Sequence, residues 1–330
     1  AMEKLNIISS NFPSVGSAAS ITVLRESNPP EPPIQPVVNK CTCPARVKPP
    51  PRPTKLPFEP TEENIPQMKQ WLLKRYENST FNRCTHQPLP MMTGPPIKIH
   101  INPDTKPTAV HTPASIPIHW RQQIKDQLDA DVALGVIEKV EPNTPTTWCH
   151  RAIWVRKPDG SPRRVVDFQS LNSHSARYTH HTVPPFQQAR AIPHSTFRSV
   201  TDAWNGYHSV PVCAEDRHLF TFITEFGRYR YCVAPQGYKA SGDGYTHRYD
   251  DVIADVPCKT KCVDDTVLWD DTIESHWWRM IDFLELTGRE GIVLNPHKFQ
   301  FCQREIEFAG FHVTANEVKP LSKYLDSIRL

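Results

Sequence analysis

The chain has 330 residues, and its 38 Lys and Arg against 35 Asp and Glu leave a formal charge of only +3. That length supports a large core and one to three domains, while the balanced charge permits a nucleic-acid partner without arguing for one, since a basic groove can hide inside a neutral total. No run of about 18 apolar residues is present, which argues against a membrane span, and nine cysteines with no signal-like segment ahead of them fit reduced thiols in an intracellular protein.

Thirteen of the 34 prolines fall in residues 1–60, in stretches such as NPPEPPIQP and KPPPRPTKLP. Such sequence sustains neither helix nor central strand, so 1–60 reads as a largely disordered linker. Asn64 is placed to cap a helix from Ile65 to about Tyr76, with Ile65, Met68, Leu72 and Tyr76 near helical spacing. An extended connector follows to residue 110. The folded body begins near Pro117 with an amphipathic helix carrying Ile124, Leu128 and Val132, ended by Gly135. AIWVRKPDGSPRRVVDF predicts two strands around a Lys-Pro-Asp-Gly turn, and LFTFITEFGRYRYCV predicts a second hairpin with Glu225-Phe226-Gly227 at its tip. FRSVTDAWNGYHSV is a strand running into a turn, and YTHRYDDVIADV reads as helix. A further hairpin, a helix through HWWRMIDFLELTG and strands in KFQFCQREIEFAGFHVT complete a pattern that implies an α+β fold.

Three features carry chemistry. Asp202 ends a β-type run, APQGYKASG (234–242) makes a glycine-bearing loop, and Asp264-Asp265 sit between two apolar runs in KCVDDTVLW. By itself the Asp-Asp pair reads equally as a plain hairpin turn. Together the features match the needs of two-metal nucleotidyl transfer, in which carboxylates from separate strands converge on two cations roughly 4 Å apart. Lys157, Arg163 and Arg164 on the KPDGSPRR hairpin could neutralise a triphosphate, or form an ordinary solvated tip.

With these motifs in order, the sequence resembles the reverse transcriptases of gypsy-type LTR retrotransposons, and more distantly those of retroviruses, over about residues 96–320. KPDGSPRRVVDFQSLN is similar to the fingers motif at the incoming triphosphate, VTDAWNGYHSV to the palm motif with the first catalytic aspartate, and CVDDTVLW to the Asp-Asp signature. NPHKF and EFAGFHVT resemble the closing palm motifs. The resemblance implies a right-hand polymerase with an antiparallel palm sheet backed by helices. Its fingers would span 111–200 with the 216–232 hairpin, its palm 201–215 and 233–320, and 321–330 would begin a truncated thumb connection.

The resemblance also implies roles. Asp202 and Asp264 would bridge two Mg²⁺ (or Mn²⁺) ions with Asp265 and the Ala203 backbone completing their site. Lys157, Arg163 and, as a helper, Arg164 would bind the dNTP phosphates. Tyr207 would exclude a ribose 2′-hydroxyl, Gln236 would lie against the incoming nucleotide, and Lys298 would be a general acid near the pyrophosphate. Pro235, Gly237, Tyr238 and Lys239 would form the loop beneath the template–primer. Implied partners are an RNA or DNA template with its primer, dNTP, and the remaining Pol polyprotein (protease, thumb, RNase H, integrase), in a cytoplasmic virus-like particle or the nucleus. Ending near the expected thumb, the chain would by itself bind and extend a primer weakly.

There are departures from the family pattern: Cys262 for tyrosine, Gln169 for a frequent arginine, and Gly242-Asp243 for Ala-Pro or Ser-Pro. The readings from other classes are a non-catalytic nucleic-acid-binding remnant of a transposable element, and an RNA-dependent RNA polymerase, against which Tyr207 argues. Cys41, Cys43, Cys84 and His86 offer a short-spaced zinc set, with plain linker thiols as the simpler reading. His180-His181 reads as surface. Asp104-Thr105 is followed by Lys106 where an aspartic protease needs glycine.

Overall fold

A computed structural model of the chain describes residues 42–194 and 196–322. Expectations for residues 1–41, Cys41 among them, and for 323–330 lie outside those residues. Among the described residues no helix is long and apolar enough to cross a membrane.

The proline-rich stretch 42–60 is docked, which corrects the expectation of disorder for that part of the linker. Arg46 donates to the carbonyls of Ser79 (3.1 Å) and Phe81 (3.2 Å), Arg75 donates to the Pro51 carbonyl, and Leu56 and Phe58 pack against a core. Proline gives up backbone donors but keeps its carbonyls, so side chains can hold such a segment without a β-ladder. Helix α1 (Ile65–Arg75) follows. Asn64 precedes it as expected, yet its side chain donates to the Glu59 carbonyl, because a 3₁₀ turn at Glu62–Asn64 already leads into the helix. Met68, Leu72 and Tyr76 are fully buried in the larger core, so residues 61–110 contribute to that core beyond connecting to it.

The first body is built on a five-stranded sheet. Helix α2 (Arg121–Ala133) leads to β1 (Ile137–Lys139), β2 (His150–Arg156), β3 (Pro162–Val166) and the short α3 (Gln169–His174). Further along the chain β5 (Thr221–Thr224) and β6 (Gly227–Tyr231) return to give the order β1-β6-β5-β2-β3, antiparallel except for β2 beside β5. Ile124 and Leu128 of α2 close over Phe168, Phe220 and Phe222. Strand β3 alternates, with Pro162 and Val166 buried and Arg163 and Val165 exposed, the period-two pattern of a strand with one covered face.

The second body is a four-stranded antiparallel sheet, β7-β8-β4-β9, made by β4 (Phe197–Asp202), β7 (Lys259–Cys262), β8 (Asp265–Asp270) and β9 (Gln300–Gln303). All six residues of β4 are buried. Phe197 joins the core formed with α1, α5 (Lys239–Val252) and α6 (Ile273–Arg289), whereas Val200 joins α4 (Pro185–Arg190) and a three-stranded sheet of β10 (Ile306–Phe308), β11 (Phe311–Val313) and β12 (Val318–Pro320). Cover on both sides explains why a strand reading FRSVTD hides even Arg198, whose guanidinium donates to the carbonyls of Pro193 (2.7 Å) and Arg304 (2.5 Å) and to Thr196. The expected boundary at residue 200 therefore moves: β4 starts at Phe197, and Ala189 and Ile192 pack with Val200 and Val267. Helix α5 also starts earlier than the YTHRYDDVIADV pattern, at Lys239, and includes Gly242 and Gly244.

Candidate active site

Strands β4 and β8 pair residue for residue from Phe197–Asp270 to Asp202–Asp265. That register sets Asp202 directly opposite Asp265 at the sheet's end. Strands β7 and β8 pair as far as Cys262–Asp265, so Val263 and Asp264 form a two-residue turn. The Ala203 amide donates to the Asp264 carbonyl at 3.0 Å, and the Asn295 amide donates to the Asp202 carbonyl at 2.8 Å. The end of β4 is thus tied to the turn on one side and to the segment at Asn295 on the other. Val263 has φ 53°; a β-branched residue there is strained, and such strain persists only where surrounding pairing enforces it.

Burial first, and then the charge of Asp202, raises the pKa of both Asp264 and Asp265; for Asp265 a hydrogen bond with Asp202 adds to the rise, while the Tyr245 hydroxyl beside Asp264 opposes it there. Asp264 Oδ1 is buried without a hydrogen-bond partner of normal geometry. The Lys298 ammonium lies 2.6 Å from Asp202 Oδ2, and that bond raises its own pKa, so it stays charged. Three crowded carboxylates and one orphaned oxygen fit an oxygen-seeking divalent cation. Among the described residues no acidic, histidine or cysteine side chains form a ready ligand cluster. A cation held by these carboxylates would keep waters or substrate oxygens in its remaining positions.

A cleft of about 250 Å³ is lined by Asp202, Ala203, Tyr207, Gln236, Asp264 and Lys298 together. Tyr207 stacks on Tyr245 with ring centroids 5.2 Å apart. Gly206 is obligatory at this point, because a Cβ there would fall 2.3 Å from the Tyr245 ring. Burial and then Asp264 raise the Tyr207 pKa, so the phenol stays protonated. Gln236, Trp204 and Asn205 also line a neighbouring cleft of about 430 Å³ that contains Lys157 and Arg163. Arg163 Nη2 donates to Gln236 Oε1 at 2.7 Å. Asp202, Asp264, Tyr207, Gln236 and the basic hairpin therefore border two clefts that share Trp204, Asn205 and Gln236 as walls, whereas Asp265 faces a separate cleft with Asp202 and Lys298.

Other expected contacts are turned elsewhere. Arg164 is largely buried, paired with Asp131 at 2.7 Å and bonded to the Tyr231 hydroxyl at 3.0 Å. Its charge is thus matched by Asp131, although it still lines the cleft that contains Lys157 and Arg163. In the loop beneath the clefts only Gln236 and Gly237 are exposed. Pro235 and Tyr238 are buried, and the Lys239 ammonium donates to the Asn172 carbonyl; the loop is pinned to α3, and Lys239 is not a free phosphate contact. His180 is bonded to Asp250 at 2.6 Å, so it is more than plain surface. Asp243, a departure from the family pattern, takes Arg177 at 2.6 and 3.2 Å.

Sequence reasoning missed Tyr245, Trp204, Asn205, Asn295 and Lys261. Lys261 is buried beside the turn, pairs with Asp250 at 3.1 Å and lowers the Asp264 pKa against the effect of burial. A second buried constellation, Ser199–His276–Asp270, has the connectivity of a nucleophilic triad at 2.6 and 3.0 Å. Ser199 and His276 are fully buried, Ser199 Oγ also accepts from the Cys302 amide, and Arg279 holds Asp270. No substrate can reach that serine, so the network is structural.

The family described as Reverse transcriptase (RNA-dependent DNA polymerase) matches residues 155–313. A Pol polyprotein from the transposon opus of Drosophila melanogaster is 24% identical over 241 residues, covering 70% of this chain and 23% of that protein. The Pro-Pol polyprotein of Simian foamy virus type 1 is 27% identical over 168 residues, covering 48% and 14%. The chain thus spans under a quarter of these relatives' length. Foamy viral protease-reverse transcriptase in complex with double-stranded DNA superposes with a TM-score of 0.71 at 20% identity, over 82% of this chain and 55% of that one. Its complex with an RNA/DNA hybrid gives 0.71 at 19%, over 84% and 39%. The five-stranded body and the four-stranded body have the fold of polymerase fingers and palm, and residues 155–313 are similar to reverse transcriptases and to the Pol polyproteins of transposons and retroviruses.

Proposed function

We propose that this chain is the fingers-and-palm part of a gypsy-type LTR retrotransposon polymerase, adding dNTP to a primer 3′-hydroxyl on an RNA or DNA template. The observation that carries the reading is the pair of clefts with shared walls: Asp202 and Asp264 beside Tyr207 and Gln236 in one, Lys157 and Arg163 in the other. Asp202, Asp264 and Asp265, with the Ala203 backbone, would hold two Mg²⁺ or Mn²⁺ ions. When bound, such ions stabilise charge on the attacking and departing oxygens. The chain's own residues do the rest. Lys157 and Arg163 neutralise the β- and γ-phosphates, and Gln236 fixes the Arg163 fork and faces the nucleotide. Tyr207 closes the space a 2′-hydroxyl would need, and Lys298, as the ammonium, donates a proton to the departing pyrophosphate. Duplex DNA and RNA/DNA hybrid bound to the structural neighbours support a template–primer as partner. The reading also takes the remaining Pol regions as partners and a cytoplasmic virus-like particle, or the nucleus, as the working place.

The test is primer extension on poly(rA)·oligo(dT) with Mg²⁺ or Mn²⁺, comparing a version of the chain extended through the expected thumb with its Asp264→Asn partner. Extension abolished by Asp264→Asn supports the polymerase. Duplex binding by both proteins with extension by neither would favour the remnant reading.

A further inference from the structure

A hollow of about 960 Å³ runs along α5, bounded by residues 93–98, the segment Tyr178–His180 and the C-terminal end of α6, and it includes none of the three aspartates. Its floor is apolar, from Ile97, Val252 and Leu286, and aromatic side chains flank it. His100 meets Tyr178 edge-on at 5.5 Å, and the His180 and His247 rings lie 5.1 Å apart.

The charges around it do not balance. Two of the three carboxylates at the hollow are paired with cations, Asp243 with Arg177 at 2.6 Å and Glu290 with Arg289 at 3.1 Å, and the third, Asp251, is exposed to solvent beside His247 at 3.5 Å. Two cations remain. Lys98 is exposed at the rim. Arg248 is buried, with 9% of its surface exposed, and its guanidinium has one long hydrogen bond, Nη1 to the Met92 carbonyl at 3.4 Å. Among the described residues neither Lys98 nor Arg248 forms an ion pair. The guanidinium rests against Gly94, whose φ of +128° and missing side chain leave it room; a Cβ there would approach Nη1 to 3.3 Å. A buried guanidinium without an anion is costly, and arginine's planar fork suits carboxylate or phosphate. Apolar walls with few placed polar groups are the usual make-up of a ligand site.

We propose that this hollow is a binding site for a small organic anion, a carboxylate or phosphate on a flat apolar body, with Arg248 receiving the anionic group and Lys98 guarding the entrance. The site stands apart from the polymerase reading and does not depend on it.

The test uses the full chain with 8-anilinonaphthalene-1-sulfonate as a fluorescent probe. One saturable site is expected, displaced by 2-naphthoate or by 2-naphthyl phosphate. The better of these two competitors identifies the anionic group. Inorganic phosphate and uncharged 2-naphthalenemethanol should compete at least tenfold less well. Arg248→Met, shown folded by its thermal melt, should bind the probe at least tenfold more weakly. Should Arg248→Met fail to fold, the exposed Lys98→Glu decides, with several-fold weaker binding expected. Unchanged binding by folded Arg248→Met, unchanged binding by Lys98→Glu in its place, or equal competition by the uncharged alcohol would overturn the proposal.

Discussion

The Lys298 ammonium sits 2.6 Å from Asp202 Oδ2, directly opposite the β8 aspartate that shares the sheet's end with it. Lys298, with Lys261 acting on Asp264, thus offsets the charge of three crowded carboxylates. A divalent cation entering the site must displace or share with that ammonium.

Lys298→Gln should therefore bind Mn²⁺ several-fold more tightly in a direct titration, because a competing charge is gone. If Lys298 is also the proton donor, nucleotide addition should slow by about 10²-fold, the lower end for general acid catalysis. Weaker Mn²⁺ binding by Lys298→Gln would show that the lysine organises the carboxylates rather than competing for them.

Tyr207→Ala should relax exclusion of ribonucleotides, lowering the dNTP-over-rNTP preference tenfold or more, about 1.4 kcal/mol of discrimination. Tyr207→Phe keeps the ring on Tyr245 and should keep the preference. Competition assays of single-nucleotide addition read this directly, and unchanged selectivity in Tyr207→Ala would remove the gate assignment.

Val263 holds a left-handed conformation at the tip of the turn. Val263→Asn, a residue that tolerates this region, should stabilise the protein by about 1 kcal/mol, at the low end of the cost of such strain. If the strain positions Asp264, the more stable variant will be the poorer polymerase. Denaturant unfolding and primer extension on the same preparation separate the two effects.

The buried Ser199–His276–Asp270–Arg279 network predicts an acid response. Burial holds His276 below its ordinary value of 6.5. Burial alone would raise Asp270, but bonds from His276 and Arg279 outweigh it and the net shift is downward. For both groups the unfolded chain takes up protons first as pH falls, so stability drops with pH. The His276 contribution is full above about pH 6.5 and declines below it, and the Asp270 contribution follows below about pH 4. Melting temperature should fall between pH 7 and 5, and His276→Gln should flatten that part of the curve. A wild-type melt independent of pH over that range would count against the buried neutral imidazole.

Much of the site was legible in the chain because the relevant chemistry is local. The turn carrying Asp264, the strand ending in Asp202 and the Lys-Pro-Asp-Gly hairpin are each specified by short-range alternation and turn residues. Composition missed what depends on burial. The docking of residues 42–60, the pairing of Arg164 with Asp131, the pinning of Lys239 to α3, and the full enclosure of β4 all follow from which face another element covers. A one-sequence pattern cannot show that. Likewise Tyr245 under Tyr207, Lys261 beside the turn and Arg248 without a counter-charge are ordinary helix or strand residues until packing fixes their neighbours. The sequence by itself determined which carboxylates and which loops exist. Only the tertiary structure decided which charges meet, because register and burial, not order along the chain, set the distances over which they act.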